Sequence, residues 1–205
     1  MRCRLYLVTP PAFLSGGVDI SDACSRVEHA LSAGDVAAVL LRSGQGDPDT
    51  TRNALKALLP VIQQAEAAAV LEGDPDMAVE TGCDGIQIPA DSRQQRSLRQ
   101  RLGDERILGI DCGHSRHAAM EAGEQDADYV MLDSSETELL AWWAELMEVP
   151  SVAGGVNGLE TASAAIRAGA DFIAVGDAVW HHSEGPEAAV TAFNSLLDEE
   201  AGEAT

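Results

Sequence analysis

The sequence contains very few lysines and aromatic residues. Lys56 is its only lysine, and aromatic residues make up 4% of the 205 residues. A catalytic mechanism that needs a lysine would therefore depend on Lys56 alone. The scarcity of aromatics implies a core of aliphatic side chains, which the hydrophobic content of 45% can supply.

Positive charge is also scarce. The chain has 13 basic and 34 acidic residues, and its formal net charge is −21. Such a surface repels nucleic acid and anionic membranes, because phosphate groups are neutralised by clustered Lys and Arg. We therefore expect neither as a partner. A site for an anion must use backbone N–H groups and a few arginines.

Long apolar segments and paired cysteines are absent as well. The apolar run from Leu5 to Val8 is too short for a signal peptide or a membrane span. None of the cysteines forms a CxxC motif or has zinc-ligand spacing. These features predict a cytoplasmic protein with reduced thiols.

Short apolar runs alternate with amphipathic segments from end to end. The runs predict strands at residues 5–9, 36–42, 68–72, 85–88, 106–111, 129–132, 151–154 and 172–175. The segments between them predict helices at 21–33, 49–67, 75–81, 91–101, 115–124, 136–148, 158–168 and 186–199.

This alternation predicts an α/β fold, a single (β/α)₈ TIM barrel over residues 1–205. Strands that alternate with helices pair in parallel, and strands that are apolar throughout have both faces covered. Residues 201–205 are expected to form a frayed tail. The alternative is an open doubly wound sheet. Because about 250 residues are typical of such a barrel, the loops must be short.

Two predicted helices end in glycine, with aspartate two residues later. The pairs are Gly82 with Asp84 and Gly169 with Asp171. Glycine supplies the left-handed position after a helix. We expect the aspartates to cap backbone groups where the next strand begins, at the end of the barrel that contributes to stability rather than catalysis.

Glycines also follow the last two predicted strands. Residues 152–157 read Val-Ala-Gly-Gly-Val-Asn, and residues 173–178 read Ile-Ala-Val-Gly-Asp-Ala. Loops at these positions commonly bind phosphate, since glycine lets backbone N–H groups approach an anion. The pattern predicts a phosphate site; the alternative is that the glycines only form tight turns. The predicted phosphate-binding residues are Gly154, Gly155, Val175 and Gly176.

Several segments together resemble one known family. They are Leu5-Tyr-Leu-Val-Thr, Val39-Leu-Leu-Arg42, the stretch from Asp76 to Gln87, His114, Asp128-Tyr-Val, and residues 152–156. The chain resembles the thiamine phosphate synthase and thiazole tautomerase family over nearly its whole length. The resemblance implies a TIM barrel. The synthase joins a pyrimidine diphosphate to a thiazole phosphate with magnesium, and the tautomerase isomerises the thiazole.

The chain departs from the synthase pattern where the diphosphate would bind. The pattern Gln-x-Arg-x-Lys on the second strand reads Leu40, Arg42 and Gly44 here, so only the arginine, implied to be catalytic, remains. The loop after the sixth strand, residues 132–137, lacks the family's lysine. Two cations that would bind the diphosphate are therefore missing.

The positions of the family's magnesium ligands differ too. After the third strand the family has Asn-Asp, where this chain has Glu72 and Gly73, with Asp74 one residue further. After the fourth strand the ligand position holds Ser92, and Asp91 is adjacent. If Mg²⁺ binds, the resemblance implies Asp74 and Asp91 as its ligands.

His114 matches a family histidine after the fifth strand. Its ordinary pKa near neutrality suits proton transfer on a thiazole ring, although it could instead cap the next helix. Asp111 and Asp133, at the ends of the fifth and sixth strands, are further acids that could line the pocket.

These observations predict a synthase-like protein of thiamine biosynthesis that binds a thiazole-phosphate-like ligand. They also predict that the half of the site for diphosphate and magnesium is eroded. Three alternatives remain: a thiazole-tautomerase-like enzyme, a non-catalytic barrel that binds a phosphorylated metabolite, and another phosphate-handling barrel. A homo-oligomer is compatible with the sequence.

Overall fold

The chain folds into a closed barrel of parallel strands. The computed structural model describes residues 2–90 and 92–203, and the side chains of all of these except residues 92–96 and 203. The strands follow one another in sequence order, and β8 pairs with β1. The predicted single (β/α)₈ TIM barrel is confirmed, and the open sheet is wrong.

The strands and helices lie close to their predicted positions. The strands are β1 (Arg4–Val8), β2 (Val36–Leu41), β3 (Ala68–Glu72), β4 (Gly85–Pro89), β5 (Ile107–Gly113), β6 (Tyr129–Asp133), β7 (Ser151–Val156) and β8 (Phe172–Val175). The helices are α1 (Ala12–Ser15), α2 (Ile20–Ser32), α3 (Pro48–Gln64), α4 (Pro75–Thr81), α5 (Ser92–Leu102), α6 (Arg116–Glu124), α7 (Thr137–Leu146), α8 (Leu159–Arg167), α9 (Asp177–Trp180) and α10 (Pro186–Glu203).

Three helical segments differ from the prediction. Helices α1 and α9 were not predicted, because four residues are too few to show a helical period. Helix α10 continues to Glu203, so residues 201–203 are helical rather than frayed. The side chain of Glu200 ties this end to α8, since it accepts hydrogen bonds from Ser163 Oγ at 2.5 Å and Arg167 Nε at 2.9 Å.

The aspartates that precede β4, β6 and β8 cap the start of the strand before them. Asp84 accepts a hydrogen bond from the Ala69 N–H at 2.7 Å, and Asp171 accepts one from the Ser151 N–H at 2.9 Å. Both aspartates thus cap a strand entry as expected, but it is the entry of the preceding strand and not of the next one. Asp128 does the same for the N–H of Leu108, at 2.7 Å.

Two tyrosines fill the interior of the barrel. The hydroxyls of Tyr6 and Tyr129 lie 2.8 Å apart, and that of Tyr129 donates to Gln87 Oε1 at 2.8 Å. Gly109 leaves room for the second ring, because a Cβ there would lie 2.0 Å from Tyr129 Cζ. Burial raises the pKa of both phenols, so both keep their protons.

Two further findings concern the lengths of the helices and the state of the cysteines. Among the helices within residues 2–90 and 92–203, none is long and apolar enough to cross a membrane. All four cysteines are free thiols, and burial raises the pKa of Cys3 and Cys112 to about 12. A thiol with such a pKa is an inert core residue rather than a nucleophile.

The contact between Gly109 and Tyr129 can be tested by adding one methyl group. We expect Gly109→Ala to lower the free energy of unfolding by about 2–3 kcal/mol, because the new Cβ overlaps the ring. Gly202→Ala is the control, since a Cβ there meets nothing within 4 Å; it should be neutral or stabilise α10 by up to about 1 kcal/mol. Equal effects in urea denaturation would contradict the packing.

The ion pair at the start of β1 predicts a pH-dependent stability. Asp35 accepts hydrogen bonds from Arg4 Nε at 2.9 Å and Nη2 at 2.6 Å, which hold its pKa below the ordinary value. Such a carboxylate stabilises the fold above its unfolded-state pKa of about 3.9, and the contribution is lost as the pH falls through the lower folded-state pKa.

We therefore expect Asp35→Asn to be destabilising at neutral pH only. The loss at about pH 7 should be about 1 kcal/mol or less, because the pair is partly exposed to solvent. Urea denaturation near pH 7 and again below about pH 3 measures the difference from the wild type. A difference of the same size at both pH values would contradict the role of the charge.

Candidate functional site

A cavity of about 360 Å³ lies at the carboxyl ends of the strands. This is the end at which barrel enzymes have their active sites. Every strand of the barrel, or the loop after it, contributes to the wall. The lining residues are Val8, Thr9, Pro10, Pro11, Leu40, Arg42, Glu72, Gln87, Asp111, Met131, Gly155, Val156, Asn157, Ala174, Gly176, Asp177 and Ala178.

Gly155 and Gly176, two of the predicted phosphate-binding residues, line this cavity. Gly155 has a φ of +73°, which a residue with a side chain rarely adopts, and it lies where the register of β7 against β8 shifts. Gly176 precedes α9, and a Cβ there would lie 3.3 Å from the carbonyl oxygen of Val8. Both positions therefore keep bare backbone at the cavity wall.

The other two predicted phosphate-binding residues lie behind the wall. Gly154 is buried, and a Cβ there would lie 2.9 Å from Cγ of Met131. Its lack of a side chain therefore makes room for the methionine. Val175 is a fully buried strand residue paired with Leu7 and Val156.

Helix α9 starts directly at the cavity. The N–H groups in the first turn of a helix have no partner within the helix and carry partial positive charge. Those of Asp177 and Ala178 belong to this first turn, and both residues line the cavity. The Asn157 N–H, in the neighbouring loop, instead donates to Thr161 Oγ1 at 3.2 Å.

Arg42, directly after β2, also lines the cavity, and Glu72 partly neutralises it. Arg42 Nε lies 3.7 Å from Glu72 Oε1, and both side chains are partly exposed. Glu72 Oε2 also accepts a hydrogen bond from the N–H of Ser43 at 3.1 Å. The N–H of Arg42 donates to Thr9 Oγ1 at 3.1 Å, which fixes the end of β2 against β1.

His114 lies on the rim and contacts two carboxylates. Its Nδ1 is 3.1 Å from Glu136 Oε1, and its Nε2 is 3.8 Å from Asp133 Oδ2. Hydrogen bonds from Ser135, together with the nearby histidine, hold the pKa of Asp133 below its ordinary value. The lining residues of the cavity include Asp111 but not His114 or Asp133.

Of the two predicted magnesium ligands, the structure describes Asp74 alone. Asp74 caps α4, where its carboxylate accepts hydrogen bonds from the N–H groups of Asp76 at 3.0 Å and Met77 at 3.1 Å. Asp91 lies outside the described residues. In the part of the chain that the structure describes, no three His, Cys, Asp or Glu side chains are grouped to hold a metal. These residues alone therefore do not fit Mg²⁺.

An aromatic brace that sequence reasoning missed fixes the loops after β1 and β8. The indole of Trp180 donates to the Val8 carbonyl at 2.7 Å and packs edge-on against Phe13, with ring centroids 5.3 Å apart. Arg26 lies over the Phe13 ring and donates to the Trp180 carbonyl at 2.6 Å. These residues are far apart in sequence, so no local pattern connects them.

Comparisons with known proteins point to one family. A family model described as thiamine monophosphate synthase matches residues 5–179. The thiamine-phosphate synthase of Rhodospirillum centenum is 41% identical over 207 residues, which cover 95% of this chain and 98% of that protein. The thiamine-phosphate synthase of Hyphomonas neptunium is 36% identical over 213 residues, which cover 96% of this chain and 95% of that protein.

Solved structures show the same fold at lower identity. The thiamine phosphate pyrophosphorylase from Pyrococcus furiosus superposes with a TM-score of 0.81, at 22% identity and with 97% of each chain covered. At this identity the likeness concerns the fold alone. The family model and the curated relatives cover nearly the whole chain, so the chain belongs to the thiamine monophosphate synthase family.

Proposed function

We propose that this protein binds a thiazole-phosphate-like monophosphate ester in the cavity, as a synthase-like protein of thiamine biosynthesis. One observation carries the proposal: Gly155, Gly176 and the first turn of α9 all line the same cavity. Bare backbone and helix N–H groups suit a monophosphate group, because they bind an anion without lysine.

We also propose that the half of the site for the diphosphate is weakened. Of the described residues that line the cavity, Arg42 alone carries positive charge, and Glu72 lies beside it. Asp111 and Asp177 add negative charge to the same wall. A diphosphate carries more charge than a monophosphate ester, so it needs cations or a metal that these residues do not supply.

Magnesium could restore that half only with further carboxylates. The metal would need Asp91 together with Glu72 or Asp74 at the mouth of the barrel. If no metal binds there, the acidic wall favours a second candidate function, a non-catalytic barrel that binds a phosphorylated metabolite. A tautomerase-like role for His114 has no comparable support, because that side chain contacts carboxylates on the rim.

Thermal shift with three ligands tests the proposal. We expect thiazole phosphate and thiamine phosphate to raise the melting temperature with or without Mg²⁺, because a ligand that binds the folded state stabilises it. The pyrimidine diphosphate should have no effect without Mg²⁺. Stabilisation by the diphosphate in Mg²⁺ would contradict the weakened half, and no response to either monophosphate would contradict the proposed ligand.

A glycine substitution tests where the phosphate binds. Gly155→Ala should weaken thiazole phosphate binding by about tenfold or more, because the side chain forces the backbone at the cavity wall to change. Gly82→Ala is the matched control: its φ is +86°, and it ends α4 outside the cavity. Each variant should lose about 1–2 kcal/mol of stability.

Calorimetric titration at a temperature where both variants are folded separates the two effects. We expect Gly155→Ala to bind thiazole phosphate weakly and Gly82→Ala to bind it as tightly as the wild type does. If the two variants bind thiazole phosphate equally well, the phosphate does not contact the carboxyl end of β7.

A charge substitution tests the neutralisation of Arg42. Glu72→Gln should strengthen pyrimidine diphosphate binding by a few fold, because partly exposed ion pairs contribute about 1 kcal/mol or less. Glu80→Gln is the control, since Glu80 pairs with Arg52 between α3 and α4, outside the cavity. Equal diphosphate affinities for the two variants in calorimetry would show that Glu72 does not limit the arginine.

A further inference from the structure

Gln87 is a buried amide on the cavity wall, and its N–H donors have only a weak acceptor among the described residues. The residue is 3% exposed. Within the described residues, the partner of its Nε2 is Met131 Sδ at 3.6 Å. A thioether is a weak acceptor, whereas an amide –NH₂ group brings two donors. A buried donor without a good partner is costly, so this one is suited to a ligand atom.

The tyrosine pair decides which end of the Gln87 amide faces the ligand. Each phenol has one proton to donate. If Tyr129 donated to Tyr6, the proton of Tyr6 would be buried with no other acceptor among the described residues. Tyr6 therefore donates to Tyr129, and Tyr129 donates to Gln87 Oε1 at 2.8 Å. This direction leaves Nε2, whose acceptor is the Met131 thioether, as the end of the amide that can donate to a ligand.

Two glycines hold the neighbours of Gln87 in place. Gly109 makes room for the ring of Tyr129, and Gly154 makes room for Met131. Met131 itself lines the cavity beside Gln87. The amide is thus held from both of its ends before any ligand binds, and such preorganisation favours selective binding.

The position of Gln87 indicates which part of the ligand it meets. Strand β4 lies four places from β8 in a closed barrel of eight strands, and so on the opposite side of the mouth. A ligand whose phosphate binds at Gly155 and Gly176 reaches Gln87 with its far end. Because Glu72 and Asp111 also line the cavity, the far end should be neutral rather than a second anion.

We propose that Gln87 determines specificity by donating a hydrogen bond from Nε2 to a neutral ring nitrogen at the end of the ligand away from its phosphate. Tyr129 is then a positioning residue that orients the amide. The inference rests on the proposed function, since it needs the phosphate at the glycine loops. The ligand class is a phosphate monoester that carries a nitrogen heterocycle at its far end, such as thiamine phosphate.

Calorimetry with matched ligands tests this inference. The probes are thiamine phosphate, the two analogues in which either pyrimidine nitrogen is replaced by CH, and thiazole phosphate. We expect the wild type to bind one analogue roughly 3- to 10-fold more weakly than thiamine phosphate, the range for one hydrogen bond. Gln87→Met should bind all three pyrimidine ligands alike, while its affinity for thiazole phosphate, which lacks that ring, stays unchanged.

Two more variants separate orientation from simple loss of packing. Tyr129→Phe keeps Gln87 but frees its amide, so the preference for the ring nitrogen should shrink. Ser151→Ala removes a buried hydroxyl at the other end of the barrel and should keep the full preference. Thermal denaturation of each variant confirms that it is folded at the temperature of the titration.

The outcomes distinguish failure of this inference from failure of the proposed function. Equal binding of all pyrimidine ligands by the wild type, or an undiminished preference in Gln87→Met, would overturn the inference while thiazole phosphate binding still supports the proposed function. If the wild type binds neither thiazole phosphate nor thiamine phosphate, the proposed function fails and the inference fails with it.

Discussion

The interior of a closed eight-stranded barrel must be filled by side chains, and here the packing of Tyr129 over Gly109 meets that constraint. The ring reaches Tyr6 on β1 and Gln87 on β4, so one hydrogen-bonded group joins three strands. In a chain with so few aromatic residues, these two rings pack inside the barrel with smaller side chains such as Val70 and Val152. The upper half stays open as the cavity, and the same group orients the amide in its wall.

The second constraint is electrostatic. Under the proposed function, a chain with a net charge of −21 must bind an anionic ligand without a cluster of cations. Backbone N–H groups solve this problem, because they carry partial positive charge that acidic surface residues do not remove. Gly155 and Gly176 give a ligand access to that backbone. The hydrogen bond from the Trp180 indole to the Val8 carbonyl holds the loop after β8 against the end of β1. Phosphate recognition can therefore persist where the cationic side chains of a diphosphate site are missing.

The fold was predictable from the sequence because strand and helix periods are local, and the position of the glycines was predictable because they lie in the last residues of β7 and directly after β8. The contacts of the residues in the candidate site were harder to predict from the sequence. Gly154 looks like a phosphate-binding glycine, yet its contact is with Met131 on the neighbouring strand. Gln87 meets Tyr129, which is 42 residues away, so no spacing could connect them. The orientation of His114 toward Glu136 likewise depends on packing between loops, which a single strand end does not specify.

The proposed phosphate site lies at the carboxyl end of β7 and in the loop after β8. Titration of ¹⁵N-labelled protein with thiazole phosphate, followed by amide chemical shifts, tests it most directly. We expect the largest shifts at the N–H groups of Gly155, Val156, Asp177 and Ala178. Largest shifts at Arg2, Gly169 and Ala170, which line a second cavity at the other end of the barrel, would contradict it.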